Sequence, residues 1–261
     1  MDGTPRIVFF GNNQLAVRVA SWLRARDAAI VAAVVHPSER QRYRDELLHE
    51  LGLPPDAIFD ASRLHEPDVI RGIAALQPDI GLSVLFGFIL KTPVLELFPR
   101  GVINLHPALL PFNRGASPNI WSIVDETPAG ATLHYVDAGV DTGDILAQRE
   151  VVVDATDTGY SLYRKLEDAS YELFINEWPN VVSGSVERRP QPAGGTVHRV
   201  KDREPLAEID LDRTYTAREL INVIRALTFP PYHGAWFRDG DRTVYMRLEL
   251  TAEESANEQD N

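Results

Sequence analysis

The stretch Ile7-Val8-Phe9-Phe10-Gly11-Asn12-Asn13-Gln14 decides the fold class, because a short apolar run passes directly into a polar turn. After the turn, Leu15, Val19 and Ala20 recur at the spacing of an amphipathic helix, and Ile30–Val35 forms a second run, rich in β-branched residues. Short apolar runs separated by helical patterns predict βαβ units and a mostly parallel sheet. Ligands of such sheets usually bind beyond the carboxyl ends of the strands.

The rest of the chain continues this α/β pattern and then changes. Further strands are predicted at residues 79–84 and 101–105, a long helix at 158–178, a short helix at Ala217–Leu227, and a hairpin with strands near 236–238 and 243–250 around Asp239-Gly240. We therefore expect a main domain over residues 1–183 and a small C-terminal helix and hairpin region over 184–250. Residues 184–195 look like a connecting segment, and the acidic tail 251–261 is expected to be disordered.

Composition excludes several classes of protein. The 261 residues contain no cysteine, so disulfides and thiolate chemistry are absent. The net charge of −12 argues against a long nucleic-acid partner, which usually requires a basic face. The N-terminal apolar run is too short for a signal peptide, and no run is long enough for a membrane span. We expect a soluble, cytoplasmic protein without a membrane partner.

A polar pair ends the strand at residues 101–105. Asn104 and His106 are two residues apart, so on a strand they share a face. An asparagine amide can stabilise an oxyanion, and a histidine can exchange protons near neutral pH. The alternative is that both residues merely terminate a strand.

The loop at residues 137–145 contains two glycines and three carboxylates. One of these carboxylates, Asp141, lies 37 residues after Asn104. Asp137 and Asp141 could belong to a metal-binding loop, although the ligand spacing of an EF-hand is absent. Asp141 could instead orient an imidazole. Spacing alone leaves both interpretations open.

Other polar residues give weaker signals. Ser117 is predicted to cap a helix that begins at Pro118, and Arg114 either binds a phosphate or carboxylate or braces its loop. The turn at Gly11 is not a G-x-G-x-x-G fingerprint. The histidines other than His106 have no metal-ligand spacing, and we expect all of them to be structural or solvated: His36, His49, His65, His134, His198 and His233.

Three segments together resemble the folate-dependent formyltransferase family. They are Asn104-Leu105-His106-Pro107-Ala108-Leu109-Leu110-Pro111, Arg114-Gly115, and His134-Tyr135-Val136-Asp137-Ala138-Gly139-Val140-Asp141-Thr142-Gly143. They are similar to the family's N-x-H-P-S-L-L-P, R-G and D-x-G-x-D-x-G patterns, in the same order, with Ala108 in place of serine. The resemblance implies a Rossmann-like, mostly parallel open sheet, the formyltransferase fold, with a small C-terminal helix and β-hairpin.

The resemblance also implies the chemistry. N10-formyltetrahydrofolate would be the formyl donor, without a metal, and Asn104, His106 and Asp141 would be catalytic. The folate would be bound by two stretches: Phe86, Gly87, Phe88 and Ile89 on one side, and Asp141, Thr142, Gly143, Asp144 and Ile145 on the other. For Phe86 and Phe88, core packing is the alternative.

Within the family, two stretches resemble the branch that formylates nucleotide-linked amino sugars. They are Pro118-Asn119-Ile120-Trp121-Ser122 and the turn at residues 229–234. The predicted acceptor-binding residues are Asn12, Arg114, Asn119, Trp121, Phe229 and Tyr232, the last two by stacking or else only by packing. The branch implies a dTDP-4-amino-4,6-dideoxyhexose acceptor, a homodimer, and a place in lipopolysaccharide O-antigen biosynthesis. Alternatives are glycinamide ribonucleotide, initiator methionyl-tRNA, a catalytically silent relative that binds nucleotide or folate, and a metal-dependent hydrolase.

Overall fold

A computed structural model describes residues 4–40 and 42–253, in which seven strands form the central sheet. The strands of the chain are β1 Ile7–Gly11, β2 Ile30–Val35, β3 Ile58–Asp60, β4 Ile80–Val84, β5 Val102–His106, β6 Arg114–Gly115, β7 Ala129–Tyr135, β8 Ile145–Val151, β9 Val197–His198, β10 Ala235–Asp239 and β11 Arg242–Met246. The central order is β3-β2-β1-β4-β5-β7-β8. Strands β1 to β5 pair in parallel, whereas β7 and β8 are antiparallel. The predicted α/β class with a mostly parallel sheet is confirmed.

Helices cover both faces of the sheet. They are α1 Gln14–Arg24, α2 Arg44–Leu51, α3 Pro67–Ala75, α4 Thr92–Leu95, α5 Pro118–Val124, α6 Gly159–Ser183, α7 Arg203–Ala207 and α8 Ala217–Leu227, with 3-10 turns at Pro55–Ala57, Ala61–Arg63 and Val200–Asp202. Helices α1 and α6 pack on one face over Phe9, Leu82 and Ile103. Helices α3 and α4 pack on the other face over Phe10 and Val34.

Strand β5 positions the catalytic candidates through its alternation. Ile103 and Leu105 lie in the apolar cluster beneath α1 and α6. Asn104 and His106 consequently point to the opposite face, since side chains alternate along a strand. On the neighbouring β7, Asn104 is paired with His134, and His106 with Thr132. This polar group of four on two strands is the floor of the candidate site.

Helix α6 differs from its predicted bounds at its C-terminal end. Thr158 and Ser161 form a capping box at its start, and threonine is a preferred residue at this position of the motif. The helix continues through Pro179 to Ser183, because Trp178 before the proline and Val181 after it are both buried and pack in the main core. The predicted cap at Ser117 is wrong: its backbone is left-handed (φ 59°) and its side chain makes no capping hydrogen bond.

The C-terminal region forms the predicted helix and hairpin. Helix α8 has the predicted bounds, and β10 and β11 join through a turn at Gly240. The second strand ends at Met246, four residues earlier than predicted. The domain boundaries stay a prediction, and most of the predicted tail, residues 254–261, lies outside the described residues. In the part of the chain that the structure describes, no helix is long and apolar enough to cross a membrane.

Candidate active site

His106 lies at the end of β5 with its side chain 7 % exposed. Its Nε2 is 3.3 Å from the backbone carbonyl oxygen of Asn113 and 3.7 Å from Oδ2 of Asp141. Because a carbonyl oxygen can only accept, Nε2 carries the hydrogen and the lone pair of a neutral ring is on Nδ1. Asp141 is thus at ion-pair distance, but the hydrogen bond that orients His106 comes from Asn113.

The conformation of Asn113 directs its backbone carbonyl to His106. Its backbone is left-handed (φ 56°), a conformation that asparagine tolerates well, and its side chain is buried. The side-chain amide donates to the hydroxyls of Ser122 (2.9 Å) and Thr127 (2.8 Å), and its oxygen accepts from Thr196 (3.0 Å). A buried amide with this many partners holds its own backbone in place, so the carbonyl that faces His106 is held rigidly.

Asn104 links His134 on the floor to Asp141 in the 137–145 loop. Its Nδ2 lies 3.1 Å from Nε2 of His134 and 3.4 Å from Oδ1 of Asp141. Nδ1 of His134 is 2.8 Å from the Tyr135 carbonyl oxygen, so Nδ1 carries the hydrogen and Nε2 accepts from Asn104. Both amide hydrogens of Asn104 therefore have protein acceptors, and the contact with Asp141 is the longer of the two.

Asp141 is held by its backbone and by an amide. Its φ is 52°, and its Oδ2 accepts a 2.8 Å hydrogen bond from the backbone nitrogen of Gly115. Burial alone would raise the pKa of the Asp141 carboxyl, but the two nearby imidazoles, the Gly115 amide and the Arg114 guanidinium together lower that pKa below its ordinary value. The carboxylate is consequently ionised beside His106 at neutral pH.

Asp137 has a different role from Asp141 in the same loop. Its Oδ1 accepts hydrogen bonds from the Gly139 nitrogen (2.9 Å) and the Thr142 hydroxyl (2.6 Å), which closes the turn. Among residues 4–40 and 42–253, no group of three or more acidic and histidine side chains converges as metal ligands do. Within those residues the geometry favours a charge interaction of Asp141 with the His106 imidazole, at 3.7 Å from Nε2, over the metal loop.

His134 is the site residue that sequence reasoning missed. It is 1 % exposed, and burial lowers its pKa to about 4, so the ring is neutral at physiological pH. A neutral ring is what the acceptor contact with Asn104 requires. The available signal was the alternation of β7, which becomes informative only once β7 is known to pair with β5.

The lowered pKa of His134 predicts a pH-dependent stability. Between pH 6.5, the ordinary value, and about 4, the unfolded chain binds a proton that the folded chain does not. This contribution is complete above pH 6.5 and is lost as the pH falls through that window. Between pH 7 and pH 5, the free energy of unfolding of the parent should fall by about 2 kcal/mol more than that of the His134→Asn variant. Urea unfolding at both pH values measures the two changes. Equal drops in both proteins would contradict the prediction.

The predicted folate-binding residues lie in two loops at the carboxyl edge. The Gly87 nitrogen donates to Nε2 of His36 (3.3 Å), and the rings of Phe86 and Phe88 lie edge-on to that imidazole, with centroids 5.3 Å and 4.9 Å away. Phe86 also packs against Phe10, so it belongs partly to the core. In contrast, Ile89 is 67 % exposed.

The second predicted folate loop runs from Asp141 to Ile145. Thr142 is exposed and braces Asp137, whereas Gly143 and Ile145 are buried. A side chain at Gly143 would meet the Tyr135 carbonyl oxygen at 1.9 Å, so this loop lies directly on β7. The Asp144 carbonyl accepts from the Tyr135 nitrogen (2.9 Å), which attaches the loop to the same strand.

Three predicted acceptor-binding residues gather at the end of β1. The side chain of Asn12 donates to the Arg40 carbonyl (3.2 Å) and accepts from the Arg42 nitrogen (2.9 Å). Arg42 donates to the Tyr232 hydroxyl at 3.0 Å, and Tyr232 is 52 % exposed. Phe229 lies beside Tyr232, with ring centroids 5.8 Å apart. The cationic and aromatic groups are suited to a phosphate and a base.

The other three predicted acceptor residues have structural partners. Both Asn119 and Trp121 are 7 % exposed. Asn119 donates to the Gly159 carbonyl (2.8 Å), and Trp121 stacks on His198 with ring centroids 4.0 Å apart. Arg114 is held by Gln191. The structure gives all three a packing role, and contact with an acceptor stays a prediction.

Comparison with known proteins gives two family matches. Residues 6–177 match the formyl transferase family, and residues 202–252 match the N-formyltransferase dimerization C-terminal domain. The dTDP-4-amino-4,6-dideoxyglucose formyltransferase of Mycobacterium tuberculosis is 35 % identical over 190 residues, 72 % of this chain and 81 % of the relative. The methionyl-tRNA formyltransferase of Myxococcus xanthus is 33 % identical over 253 residues, 92 % of this chain and 77 % of the relative.

Two solved structures extend the likeness. A 4-N formyltransferase from Francisella tularensis has a TM-score of 0.79 and 26 % identity, covering 96 % of this chain and 100 % of its own. A formyltransferase from Anoxybacillus kamchatkensis, in complex with UDP-4,6-dideoxy-4-formamido-L-AltNAc and tetrahydrofolate, has a TM-score of 0.56 and 29 % identity, covering 77 % of this chain and 88 % of its own.

Proposed function

The chain belongs to the formyl transferase family and is an N-formyltransferase, and we propose that it formylates the amino group of a nucleotide-linked amino-dideoxy sugar. The donor is N10-formyltetrahydrofolate, and dTDP-4-amino-4,6-dideoxyhexose is the default acceptor. The observation that carries the proposal is the cluster of His106, Asn104 and Asp141. Nε2 of His106 lies 3.7 Å from Oδ2 of Asp141, and Nδ2 of Asn104 lies 3.4 Å from its Oδ1. No metal takes part in the proposed reaction.

The first step is attack of the neutral amine on the formyl carbon. A carbon–nitrogen bond forms, and the carbonyl electron pair moves to oxygen as an oxyanion. His106 accepts the proton of the new ammonium at Nδ1, while Nε2–H continues to face Asn113 and Asp141. The ionised Asp141 favours the charged ring because the site is largely buried and charge interactions are stronger there.

The oxyanion requires a hydrogen-bond donor. Asn104 supplies one if its longer contact, 3.4 Å to Asp141, gives way to the substrate oxygen, while the contact with His134 keeps the amide oriented. The tetrahedral intermediate then collapses, the bond between the formyl carbon and N10 breaks, and His106 returns its proton to N10. Holding amine and formyl group in contact contributes much of the remaining acceleration.

Folate binding by the two carboxyl-edge loops is supported by their exposed positions and by the aromatic pair of the first loop. Gly87, Ile89 and Thr142 are exposed, and the half-buried rings of Phe86 and Phe88 lie side by side with centroids 5.6 Å apart. The Anoxybacillus relative binds tetrahydrofolate, which supports a folate donor here. Location in the cytoplasm stays a prediction from the apolar patterning of the sequence, and a role in O-antigen biosynthesis stays a prediction from the resemblance.

An acceptor panel tests the choice of substrate. The enzyme would be incubated with donor and, separately, dTDP-linked 4-amino and 3-amino sugars, glycinamide ribonucleotide and initiator methionyl-tRNA, and kcat/KM compared. We expect a dTDP-linked 4-amino sugar to be preferred, since relatives with that specificity match this chain and the net charge is −12. Preference for methionyl-tRNA would overturn the proposed acceptor, in line with the Myxococcus relative.

We also propose that two chains form a homodimer through the C-terminal hairpin. Phe237 and Met246 pack inward on the α8 cluster, whereas Tyr245 is 50 % exposed on the outer face. The match of residues 202–252 to a dimerization domain supports a second copy as the occupant.

Sedimentation velocity tests the dimer. The parent should sediment as a dimer at micromolar concentration, and Tyr245→Lys should shift the population towards monomer because a charge would be buried at the contact. A parent that sediments as a monomer would refute the proposal. Lys201→Arg, a charge-conserving change on an exposed turn outside the hairpin, is the control.

A further inference from the structure

The segment from Arg189 to His198 lies between the two family matches, because the first ends at residue 177 and the second begins at residue 202. It is nevertheless fastened to the site loops at both ends. At one end, Arg189 and Ile145 exchange two backbone hydrogen bonds, of 2.7 Å and 2.9 Å. At the other end, β9 pairs with β6, the strand that contains Gly115. What sequence analysis took as a connection is therefore an outer wall of the site.

Gln191 is the side chain of this wall that reaches the catalytic loop. Its Nε2 donates to the carbonyl oxygens of Asp141 and Gly143, both at 2.8 Å. Its Oε1 accepts from the Arg114 guanidinium, 3.1 Å from Nε and 2.7 Å from Nη2. The partners determine the amide orientation, because carbonyls only accept and a guanidinium only donates. Every hydrogen of the amide is thus used.

These contacts hold the backbone of Asp141, whereas its carboxylate is held separately. Gln191 binds the backbone carbonyl of Asp141, while the Gly115 amide binds the carboxylate at 2.8 Å. Gly115 follows Arg114, so Gln191 links the two stretches that together orient Asp141. The left-handed backbone of Asp141 (φ 52°) is a sparsely populated conformation, and the contacts of Gln191 and Gly115 hold it there.

We propose that Gln191 is a positioning residue that keeps the Asp141 carboxylate beside His106 by holding the backbone of the Asp141 loop. It acts through Asp141 and does not touch the reacting atoms. The kinetic part of the proposal rests on the proposed function. The structural part concerns only how His106 and Asp141 face each other, and it can be measured without substrate.

The charged and titratable groups around His106 define the readout. Asp141 faces it from the 137–145 loop, His134 from β7 with a ring centroid 6.1 Å away, and Arg114 lies on β6 beyond Asp141. If Asp141 moves away, the protonated ring of His106 loses its nearest anion. Its titration midpoint should then fall, since an opposite charge favours the charged form.

The test compares Gln191→Met, which has similar length but no hydrogen bonds, with Gln148→Met. Gln148 is a second half-buried glutamine, and its amide donates instead to the Leu110 carbonyl and the Thr132 hydroxyl. His106 would be titrated by NMR in each ligand-free protein, and kcat/KM and thermal stability measured alongside. Gln191→Asn, which retains an amide on a shorter side chain, is the conservative variant and serves if Gln191→Met does not fold.

We expect Gln191→Met to lower the His106 titration midpoint and to reduce kcat/KM by up to about 100-fold, since a 1 Å misplacement of catalytic groups can cost about that much. Gln191→Asn should fall between Gln191→Met and the parent. Gln148→Met should lose stability and retain the parent midpoint. A parent-like midpoint in both Gln191 variants would overturn the proposal, even with lower stability. Failure of the parent to formylate any acceptor would instead refute the proposed function and leave the titration valid.

Discussion

Replacing His106 with glutamine should lower kcat/KM for formyl transfer by a factor on the order of 10²–10⁴, the usual contribution of general acid–base catalysis. Glutamine has a similar volume and can donate to the Asn113 carbonyl, so the fold should survive. It cannot take a proton from an ammonium at neutral pH. Substrate KM values should change little, because the loss falls on the transition state. Initial rates with saturating donor would provide the measurement.

The matched control is His49→Gln, at an exposed position in the last turn of α2. Its kinetics should equal those of the parent. Circular dichroism and unfolding midpoints would establish that both variants are folded. Turnover of folded His106→Gln within tenfold of the parent would mean that another group accepts the proton.

Replacing Asp141 with asparagine should reduce kcat by a factor on the order of 10²–10⁴, as expected when a carboxylate that supports a catalytic imidazole is neutralised. The parent carboxylate accepts from Gly115 and Asn104 and lies 3.7 Å from Nε2 of His106. An amide has only one accepting oxygen, so one of those donors would face an N–H group. The variant also lacks the anion that stabilises the protonated ring.

The pH profile separates this effect from simple misfolding. In Asp141→Asn the acid limb of kcat/KM should move to lower pH, because protonation of His106 loses its counter-charge. Asp168→Asn, on the outer side of α6 where the carboxylate is 58 % exposed, should leave rate and profile unchanged. A folded Asp141→Asn enzyme with the parent rate would remove Asp141 from the catalytic set.

Sequence patterning predicted the elements with strong apolar periodicity. Strand β2 and helix α8 have their predicted bounds, because each is a continuous or amphipathic apolar run ended by polar or proline-rich sequence. Strand β7 was not predicted, since Ala129-Gly130-Ala131-Thr132 has small residues and no clear alternation. Its placement depends on pairing with β5, and long-range pairing leaves no local sequence signal.

The candidate site, like the fold, could be predicted only in part. Asn104 and His106 could be predicted to point the same way from β5 alone, because two residues on one strand share a face. The contacts of His106 with Asn113, of Asn104 with His134 and of Asp141 with Gln191 join residues 7 to 50 positions apart, the second by strand pairing and the other two through loops. Loop geometry depends on hydrogen bonds to the rest of the fold. For that reason the polar support of the site was visible only in three dimensions.

The central claim is tested most directly with a donor whose formyl carbon is ¹³C. The purified protein would be incubated with this donor and dTDP-4-amino-4,6-dideoxyglucose, and the reaction followed by ¹³C NMR, with His106→Gln in parallel. We predict a ¹³C formamide signal on the sugar, formed together with an equal amount of tetrahydrofolate, and nearly absent with the variant. Tetrahydrofolate release accompanied by free formate, with no formamide on the sugar, or formamide formed equally by His106→Gln, would contradict it.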